Sequence, residues 1–261
     1  DFHEEKLLSK LLSKLLELKI KKKITCPIAL KLSPDIKDSE ITDINEMILK
    51  YKIDGVTTNP SIMRANGVND YKAHCLKILK LTKKKPLSVE VFADEPAQIL
   101  NQANKISLWD KYLFVKIPIV NTKGKILSSV IQKLNSNKVR LNITAIFTLK
   151  QIKEIKKVID NKTPIIISIF CGRIADNGID PEIITSEAVS LFRNYKNVQI
   201  LWASTREVFN YQQAKKCKCH IITMSPNLIE KLNSKKLPLN EYSIKTVNQF
   251  FLDGKKSKFN I

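Results

Sequence analysis

Short apolar runs alternate along the chain with longer segments in which apolar residues recur at helical spacing. The apolar runs lie near residues 28–32, 53–57, 87–92, 112–117, 139–144, 164–170, 198–203 and 219–224. The amphipathic segments cover roughly residues 40–50, 70–82, 95–107, 124–136, 148–160, 182–194, 205–216 and 226–233. Short bounded apolar runs are typical of strands buried on both faces, and their alternation with helices predicts parallel βα units. Eight such units predict an α/β fold, the (β/α)8 or TIM barrel.

Both ends of the chain extend this predicted barrel. Over residues 4–23, leucines recur every four residues and predict a basic amphipathic helix. Such a helix can lie on a membrane or bind a partner, and we favour packing on the barrel or on a neighbouring subunit. A further helix is predicted near 242–253, outside the barrel, with Asp253 and Gly254 as its stop. We therefore expect an N-terminal helical extension over 1–26 and a barrel domain over 27–261.

Several classes of protein lose support from the sequence. The chain has neither a GxGxxG nor a GxxxxGK[ST] motif, which disfavours nucleotide-binding folds. It has no apolar stretch near the ~18 residues of a membrane span and no secretory pattern at its start. Five irregularly spaced cysteines indicate a reducing compartment, so we expect a cytoplasmic protein. Cys217, Cys219 and His220 lack a second ligand pair, and no metal is expected.

The net charge of +20 raises the hypothesis of a basic, non-catalytic barrel that binds nucleic acid. The lysines are spread through every segment, with short clusters at 21–23 and 83–85, so a biased composition explains them equally well. Arginine is scarce and therefore more informative, because its planar fork suits bidentate contacts with phosphate. The arginines are Arg64, Arg140, Arg173, Arg193 and Arg206.

One lysine, Lys116, lies inside the apolar run from Tyr112 to Pro118. Lysine is almost never fully buried without a partner, and a lysine removed from water has a lowered pKa. The neutral amine is a nucleophile toward carbonyl groups. The alternative is a lysine at a strand end that extends its ammonium group into solvent.

Polar side chains at the other strand ends favour the catalytic interpretation of Lys116. Active sites of (β/α)8 barrels lie at the carboxyl ends of the strands. Almost every predicted strand carries a polar residue there: Thr57, Thr58, Asn59, Glu90, Lys116, Asn142, Thr144, Ser168, Arg173, Ser204, Arg206 and Thr223.

Five short strings at these strand ends resemble the transaldolase family of class I, Schiff-base-forming barrels. They are DGVTTNPSIM at 54–63, VKIP at 115–118, NITAIF at 142–147, SIFCGRIAD at 168–176 and ASTR at 203–206. They occur in the order of the family, and the resemblance covers roughly residues 38–253.

The resemblance implies a role for each matched residue. Lys116 would attack the C2 carbonyl of a ketose phosphate, and the resulting iminium would accept electrons when the C3–C4 bond breaks. Glu90 and Thr144 would hold the water that shuttles protons, while Asn59 and Asn142 would bind hydroxyl groups of the donor.

The resemblance also implies a phosphate clamp made of Arg206, Ser204 and Arg173. Alternatives remain open for these positions, since Arg173 could form a surface ion pair, Ser204 could cap a helix and Glu90 could be a paired strand carboxylate. The remaining substrate-binding positions that the resemblance implies are Thr58, Ser168 and Phe170.

The first strand departs from the family, which carries a general-base aspartate at the end of that strand. Asp35 and Asp38 are the candidates, and we favour Asp38, which lies 21 residues before Asn59. Either aspartate could instead cap the following helix. If neither reaches Lys116, we expect a crippled or altered activity.

Two positions favour a transferase over an aldolase. The aldolases of the family tend to place glutamine where this chain has Glu90 and tyrosine where it has Phe170. The resemblance thus implies a transaldolase of the pentose phosphate pathway, which moves a dihydroxyacetone unit from fructose 6-phosphate or sedoheptulose 7-phosphate to an aldose phosphate. The alternative is a fructose-6-phosphate aldolase-like enzyme that releases free dihydroxyacetone.

The expected partners are small-molecule sugar phosphates. We expect no cofactor, no specific nucleic acid and no membrane partner, because the lysine itself supplies the electron sink. The sequence leaves homo-oligomer formation open.

Overall fold

The computed structural model of the chain describes residues 27–31, 46, 48–58 and 70–257. Several predictions lie outside these residues: the N-terminal helix over 4–23, the candidate bases Asp35 and Asp38, and Asn59. The boundary predicted after residue 26 also adjoins a segment outside them.

Eight parallel strands close into a barrel in sequential order, with β1 pairing to β8. The strands are β1 (Ile28–Lys31), β2 (Gly55–Thr57), β3 (Leu87–Glu90), β4 (Leu113–Pro118), β5 (Leu141–Ile146), β6 (Ile165–Ile169), β7 (Val198–Trp202) and β8 (Ile221–Met224). Most of their residues are buried, because helices cover the outside of the barrel and side chains fill the inside. The predicted (β/α)8 class is confirmed.

Helices follow the strands. Residues 46 and 48–50 are helical. The later helices are α1 (Tyr71–Leu81), α2 (Pro96–Ser107), α3 (Ser128–Ser136), α4 (Leu149–Val158), α5 (Cys171–Asp176), α6 (Pro181–Leu191), α7 (Phe209–Lys216), α8 (Pro226–Asn233) and α9 (Leu239–Ser257). Local capping explains where several begin. Thr148 and Gln151, for example, form a capping box that satisfies free N–H groups at the start of α4.

Part of the barrel interior is apolar, and Phe170, which follows β6, packs against this part. Phe114, Ile166, Leu201 and Ala203 form one buried cluster, and Ile221 packs against it. Arg140 lies over the Phe114 ring, with its guanidinium carbon 4.2 Å from the ring centroid. Of the scarce arginines, Arg140 therefore serves packing rather than phosphate binding.

The loop between β4 and α3 differs from the prediction, which had the helix begin at residue 124. Val120 and Ile126 form an antiparallel bridge, and the Asn121 side chain accepts hydrogen bonds from the N–H groups of Lys123 and Lys125. Because this turn uses those backbone groups, the helix begins only at Ser128.

Two further helices also differ from their predictions. The helix α5 begins directly after β6, within a segment that the hydrophobic pattern predicts only as a strand end. The last helix, predicted over 242–253, runs from Leu239 to Ser257 and continues through Gly254.

The chain divides into two compact units, residues 1–229 and residues 230–261. The first contains the barrel strands, and the second contains α9. Several large apolar side chains of α9 are exposed: Leu239, Tyr242, Ile244, Val247, Phe250, Phe251 and Leu252. Among the helices of the described ranges, none is long and apolar enough to cross a membrane.

Candidate active site

The register of the strands shows that the polar side chains point into the mouth of the barrel, the opening at the carboxyl ends of the strands. Ser88 on β3 accepts a hydrogen bond from Asn142 on β5, and these strands are separated by β4. Side chains of non-adjacent strands meet only inside the barrel, so Ser88 and Asn142 face inward. Lys116 pairs with Asn142 in the sheet, and paired residues share a face. Lys116 therefore also points into the interior, near the carboxyl end of β4.

Lys116 forms an ion pair with Glu90, its partner on the neighbouring strand. The Lys116 Nζ lies 3.1 Å from Glu90 Oε2, and the two side chains are only 12% and 20% exposed. A lysine that extended its ammonium group into solvent would be far more exposed, so that alternative does not describe Lys116. The structure brings the predicted nucleophile and the predicted proton-shuttling carboxylate into direct contact.

The backbone of Glu90 is fixed by Tyr71, the first residue of α1. The Tyr71 hydroxyl donates to the Glu90 carbonyl at 3.1 Å and accepts from the Glu90 N–H at 3.0 Å. The Tyr71 ring packs against Phe92 and Trp109, and burial raises the pKa of Tyr71, so its hydroxyl stays protonated. Sequence reasoning missed Tyr71, because nothing in the sequence links it to Glu90.

A second hydrogen-bonded chain crosses the interior through Asn142. The Asn142 Nδ2 donates to Ser88 Oγ at 2.9 Å, and Ser168 Oγ donates to Asn142 Oδ1 at 2.7 Å. All three residues are buried. These bonds fix the amide orientation and, among the residues that the structure describes, leave one Nδ2 hydrogen for a ligand. Ser88 is a second residue that sequence reasoning did not assign to the site.

Thr144 lies where β5 is distorted. The register with β6 shifts between Ile143 and Ile146, and Ala145 has a φ of 57°, in the left-handed region. Such backbone is strained for a residue other than glycine and is concentrated at functional sites. The Thr144 Oγ1 is buried and has no hydrogen-bond partner among the described residues. This hydroxyl is therefore available to a ligand.

Thr58 is predicted to bind substrate, but its side chain forms a hydrogen bond within the barrel wall. Both its hydroxyl and its backbone N–H donate to the Ser88 carbonyl, each at 3.1 Å. The geometry indicates a structural role that fixes the chain just before Asn59.

The helix α5 and the turn after β7 contact each other backbone to backbone. A Cβ on Gly172 would lie 1.7 Å from the Ser204 carbonyl oxygen, so only glycine fits there. Ser204 itself has a φ of 65°, which turns the chain sharply after Ala203. This close approach sets Arg173, on the helix, beside the turn that carries Arg206.

Arg206 forms a bidentate ion pair with Asp176 at the end of α5. Its Nη2 lies 2.6 Å from Asp176 Oδ2, and its Nε lies 3.2 Å and 3.3 Å from the two carboxylate oxygens. The Arg206 hydrogen bonds hold the pKa of Asp176 below its usual value. The backbone N–H of Arg206 also donates to Asn210 Oδ1 at 2.8 Å. Asp176 and Asn210 both orient a predicted phosphate-binding arginine, and sequence reasoning assigned neither.

Phe170 packs between the apolar barrel interior and the guanidinium group of Arg173. Its ring centroid lies 5.6 Å from that of Phe147 and 5.5 Å from the guanidinium carbon of Arg173. The Arg173 guanidinium is exposed above this ring, and its charge, like that of Arg206, acts on Asp176. The two arginines thus form one positively charged edge of the mouth.

Lys31, the last residue of β1, also faces the interior. It pairs with Thr57, and Thr57 pairs with the inward-facing Ser88. The residue is exposed overall, yet protein surrounds enough of its amine that partial burial lowers its pKa. The charges of Lys116, Arg206 and Arg173 lower it further. Sequence reasoning missed Lys31, although its signal, a lysine in an apolar run, was the one that identified Lys116.

The described part of the chain brings together no group of three or more His, Cys, Asp or Glu side chains that could hold a metal ion. His220 uses its Nδ1 to accept the Ile200 N–H at 3.0 Å, and burial lowers its pKa. Cys217 and Cys219 are buried beside it in sequence.

Fold and geometry define a (β/α)8 barrel protein whose candidate active site, at the carboxyl ends of the strands, is built around a lysine–carboxylate pair. The family profile described as Transaldolase/Fructose-6-phosphate aldolase matches residues 36–261. The chain belongs to this family, as the strings at its strand ends predicted. The match begins after β1, so Lys31 lies outside it.

Curated relatives agree with the family assignment, and a solved structure agrees with the fold. A "Probable transaldolase" of Dehalococcoides mccartyi is 30% identical over 187 residues, which cover 71% of this chain and 83% of the relative. A "Probable transaldolase" of Streptococcus equi subsp. zooepidemicus is 30% identical over 217 residues, 83% of this chain and 94% of the relative. A monomeric dihydrodipicolinate synthase variant is similar in fold, with a TM-score of 0.56 at 10% identity, over 80% of this chain and 72% of that one.

Proposed function

We propose that the protein is a transaldolase that transfers a dihydroxyacetone unit from a ketose phosphate to an aldose phosphate through a Schiff base on Lys116. The observation that carries this proposal is the Lys116–Glu90 pair, at 3.1 Å and largely shielded from solvent, in the mouth of a barrel of this family. Glu90 can take a proton from Lys116 and so free the amine for attack on the substrate carbonyl.

The groups around Lys116 suit the formation of the Schiff base. Loss of water from the carbinolamine needs a proton donor, and Glu90, protonated in the preceding step, can serve. The buried Thr144 hydroxyl, without a partner among the described residues, can hold the water involved. Asn142 can offer its remaining Nδ2 hydrogen to a donor hydroxyl.

Arg173 and Arg206 are the proposed phosphate ligands, with Ser204 between them in the fold. Their guanidinium groups are exposed at the edge of the mouth, and Asp176 orients Arg206. A substrate phosphate can replace part of that ion pair without leaving a buried charge unpaired, because Asp176 is itself about half exposed.

The surroundings of Phe170 support transfer rather than release of dihydroxyacetone. Its ring carries no hydroxyl, and the Tyr71 hydroxyl is occupied by the Glu90 backbone. An enamine on Lys116 would then meet no phenolic proton donor at these positions and would survive until an acceptor aldose phosphate arrives. We place this reaction in the pentose phosphate pathway and in the cytoplasm.

Chemical trapping tests the proposal. The protein is incubated with fructose 6-phosphate and borohydride, and its intact mass is measured before the adduct is mapped by peptide analysis. We expect an adduct on Lys116 that is absent from Lys116→Met and retained by Lys153→Met, a lysine exposed on α4. A wild-type protein without any adduct would overturn the mechanism.

A product assay separates transferase from aldolase. With fructose 6-phosphate and erythrose 4-phosphate, a transaldolase forms glyceraldehyde 3-phosphate and no free dihydroxyacetone. Release of free dihydroxyacetone at the same rate, with or without the acceptor, would identify the aldolase alternative.

A further inference from the structure

The mouth of the barrel holds two inward-facing lysines on different strands. Lys116 lies on β4, and Lys31 lies on β1, with β2 and β3 between them. The inward orientation of Lys31 is fixed from both sides of its strand. It pairs with Thr57, and its neighbour two residues back, Ala29, pairs with Thr223 on β8. The two side chains therefore enter the mouth from different sides of the barrel.

The charged surroundings of the two lysines differ. Lys116 contacts a carboxylate, Glu90, at 3.1 Å. The charged groups acting on Lys31 are cations, namely Lys116, Arg206 and Arg173, and they lower its pKa together with partial burial. Its neighbouring strands, β2 and β8, present Thr57 and Thr223, so they add no titratable side chain at the described positions facing it. A larger share of Lys31 is consequently neutral at a given pH than for an ordinary lysine.

The proposed transfer requires a second proton acceptor. Once the Schiff base has formed at C2, the C3–C4 bond breaks only as the C4 hydroxyl loses its proton. Glu90 lies beside Lys116 and serves the amine, while arginine stays protonated. Among the described titratable groups that face the mouth, Lys31 remains as the acceptor on another side of the substrate.

We propose that Lys31 is a catalytic residue that takes the C4 hydroxyl proton during carbon–carbon cleavage, an inference that rests on the proposed Schiff-base function of Lys116. The neutral Lys31 amine becomes an ammonium, the C4–O⁻ electrons form the aldehyde carbonyl, and the C3–C4 pair moves into the iminium to give an enamine. In the transfer direction, the enamine attacks the acceptor aldehyde and the Lys31 ammonium returns its proton to the new alkoxide. Protons and electrons balance without a further reactant.

Borohydride trapping separates this step from Schiff-base formation, because the trapped adduct shows whether cleavage has occurred. Wild-type protein with fructose 6-phosphate should yield a three-carbon adduct on Lys116, formed after loss of glyceraldehyde 3-phosphate. Lys31→Met should still form an adduct but retain all six carbons, with cleavage slowed about 10²- to 10⁴-fold. The matched control Lys153→Met should behave like wild type.

Two further variants distinguish a proton acceptor from a positive charge that merely attracts phosphate. Lys31→Arg keeps the charge but cannot accept a proton, so it should lose cleavage as Lys31→Met does. Lys31→Asp restores an acceptor with a far lower pKa, and its cleavage should reach half of its maximum at a pH lower by at least ~2 units than in wild type.

The outcomes separate the two proposals. No adduct on wild-type Lys116 would overturn both of them. An adduct on Lys116 with undiminished cleavage in Lys31→Met, or with full activity in Lys31→Arg, would overturn only the role of Lys31. If Lys31→Met fails to fold, as judged by thermal unfolding, Lys31→Arg and the pH profile of Lys31→Asp decide the question.

Discussion

At the scale of single residues, the Lys116–Glu90 pair depends on a tyrosine that does not touch the lysine. Tyr71 satisfies both backbone groups of Glu90 with one hydroxyl. Glu90 is the last residue of β3, and the ladder with β4 continues one residue further, where the Val91 N–H donates to the Lys116 carbonyl at 3.1 Å. The hydroxyl therefore fixes the position from which the Glu90 carboxylate reaches Lys116.

We expect Tyr71→Phe to slow Schiff-base formation and to lower the free energy of unfolding by about 1–3 kcal/mol, because it leaves Glu90 backbone groups unsatisfied. Urea unfolding and the rate of borohydride trapping measure the two effects. Tyr195→Phe is the control, since the Tyr195 ring packs on Phe192 far along the chain. Wild-type trapping rates in Tyr71→Phe would contradict the positioning role.

Arg206 provides a prediction about substrate preference. A bidentate contact with phosphate contributes about 1.5–3 kcal/mol, which corresponds to roughly 10- to 100-fold in kcat/KM. Arg206→Met should therefore lower kcat/KM for fructose 6-phosphate by this factor and leave the slow reaction of unphosphorylated fructose unchanged. Arg193→Met is the control. Equal losses for both sugars would show that Arg206 does not bind the phosphate.

These residues also show how far the sequence predicts the site. Lys116 and Arg206 stand in short local strings and Glu90 lies at a predicted strand end, so the resemblance identified them. Their supporting contacts join distant positions: Tyr71 to Glu90 across 19 residues and Asp176 to Arg206 across 30. Local patterns carry no signal for such pairs. The roles of the site residues stay predictions until the trapping experiments are done.

At the scale of elements, the packing of α5 against the turn after β7 positions Arg173 and Arg206 at the edge of the mouth. The strands and most helices were predictable, because hydrophobic periodicity encodes them. The helix α5 was not, since its six residues are too few for a periodic pattern. Its place is decided by a tertiary contact, the approach of Gly172 to Ser204.

Gly172→Ala should push α5 away from the turn, because a Cβ would overlap the Ser204 carbonyl. We expect a loss of about 1–3 kcal/mol in the free energy of unfolding, together with weaker binding of the sugar phosphate. Urea unfolding and KM measure these effects. Gly254→Ala is the control, since nothing lies near its Cβ position in α9, and alanine should stabilise that helix slightly. Equal stability of the two variants would contradict the close packing.

At the scale of the whole molecule, the net charge of +20 is the basis of the nucleic-acid hypothesis. Positive charge lies at the mouth and at the opposite end of the barrel, besides lysines on the outer helices such as Lys150 and Lys153. Lys31, Lys116, Arg173 and Arg206 face the mouth, whereas the cluster at 83–85 lies in the loop that leads into β3, at the amino end of the barrel. The sequence leaves homo-oligomer formation open, and light scattering in solution can test it.

The two locations allow the nucleic-acid hypothesis to be tested separately from catalysis. Charge-driven binding to a 20-nucleotide single strand should weaken steeply with salt and be no tighter than about micromolar at physiological ionic strength. Reversing Lys83, Lys84 and Lys85 to glutamate should weaken low-salt binding further and leave kcat/KM for fructose 6-phosphate unchanged, because these residues lie at the end of the barrel opposite the mouth. Reversing Lys133 on α3 with Lys150 and Lys153 on α4, all three exposed, is the control for net charge alone. Tight binding at physiological salt that survives both reversals, in a protein that forms no adduct on Lys116, would instead establish nucleic acid as the ligand of this barrel.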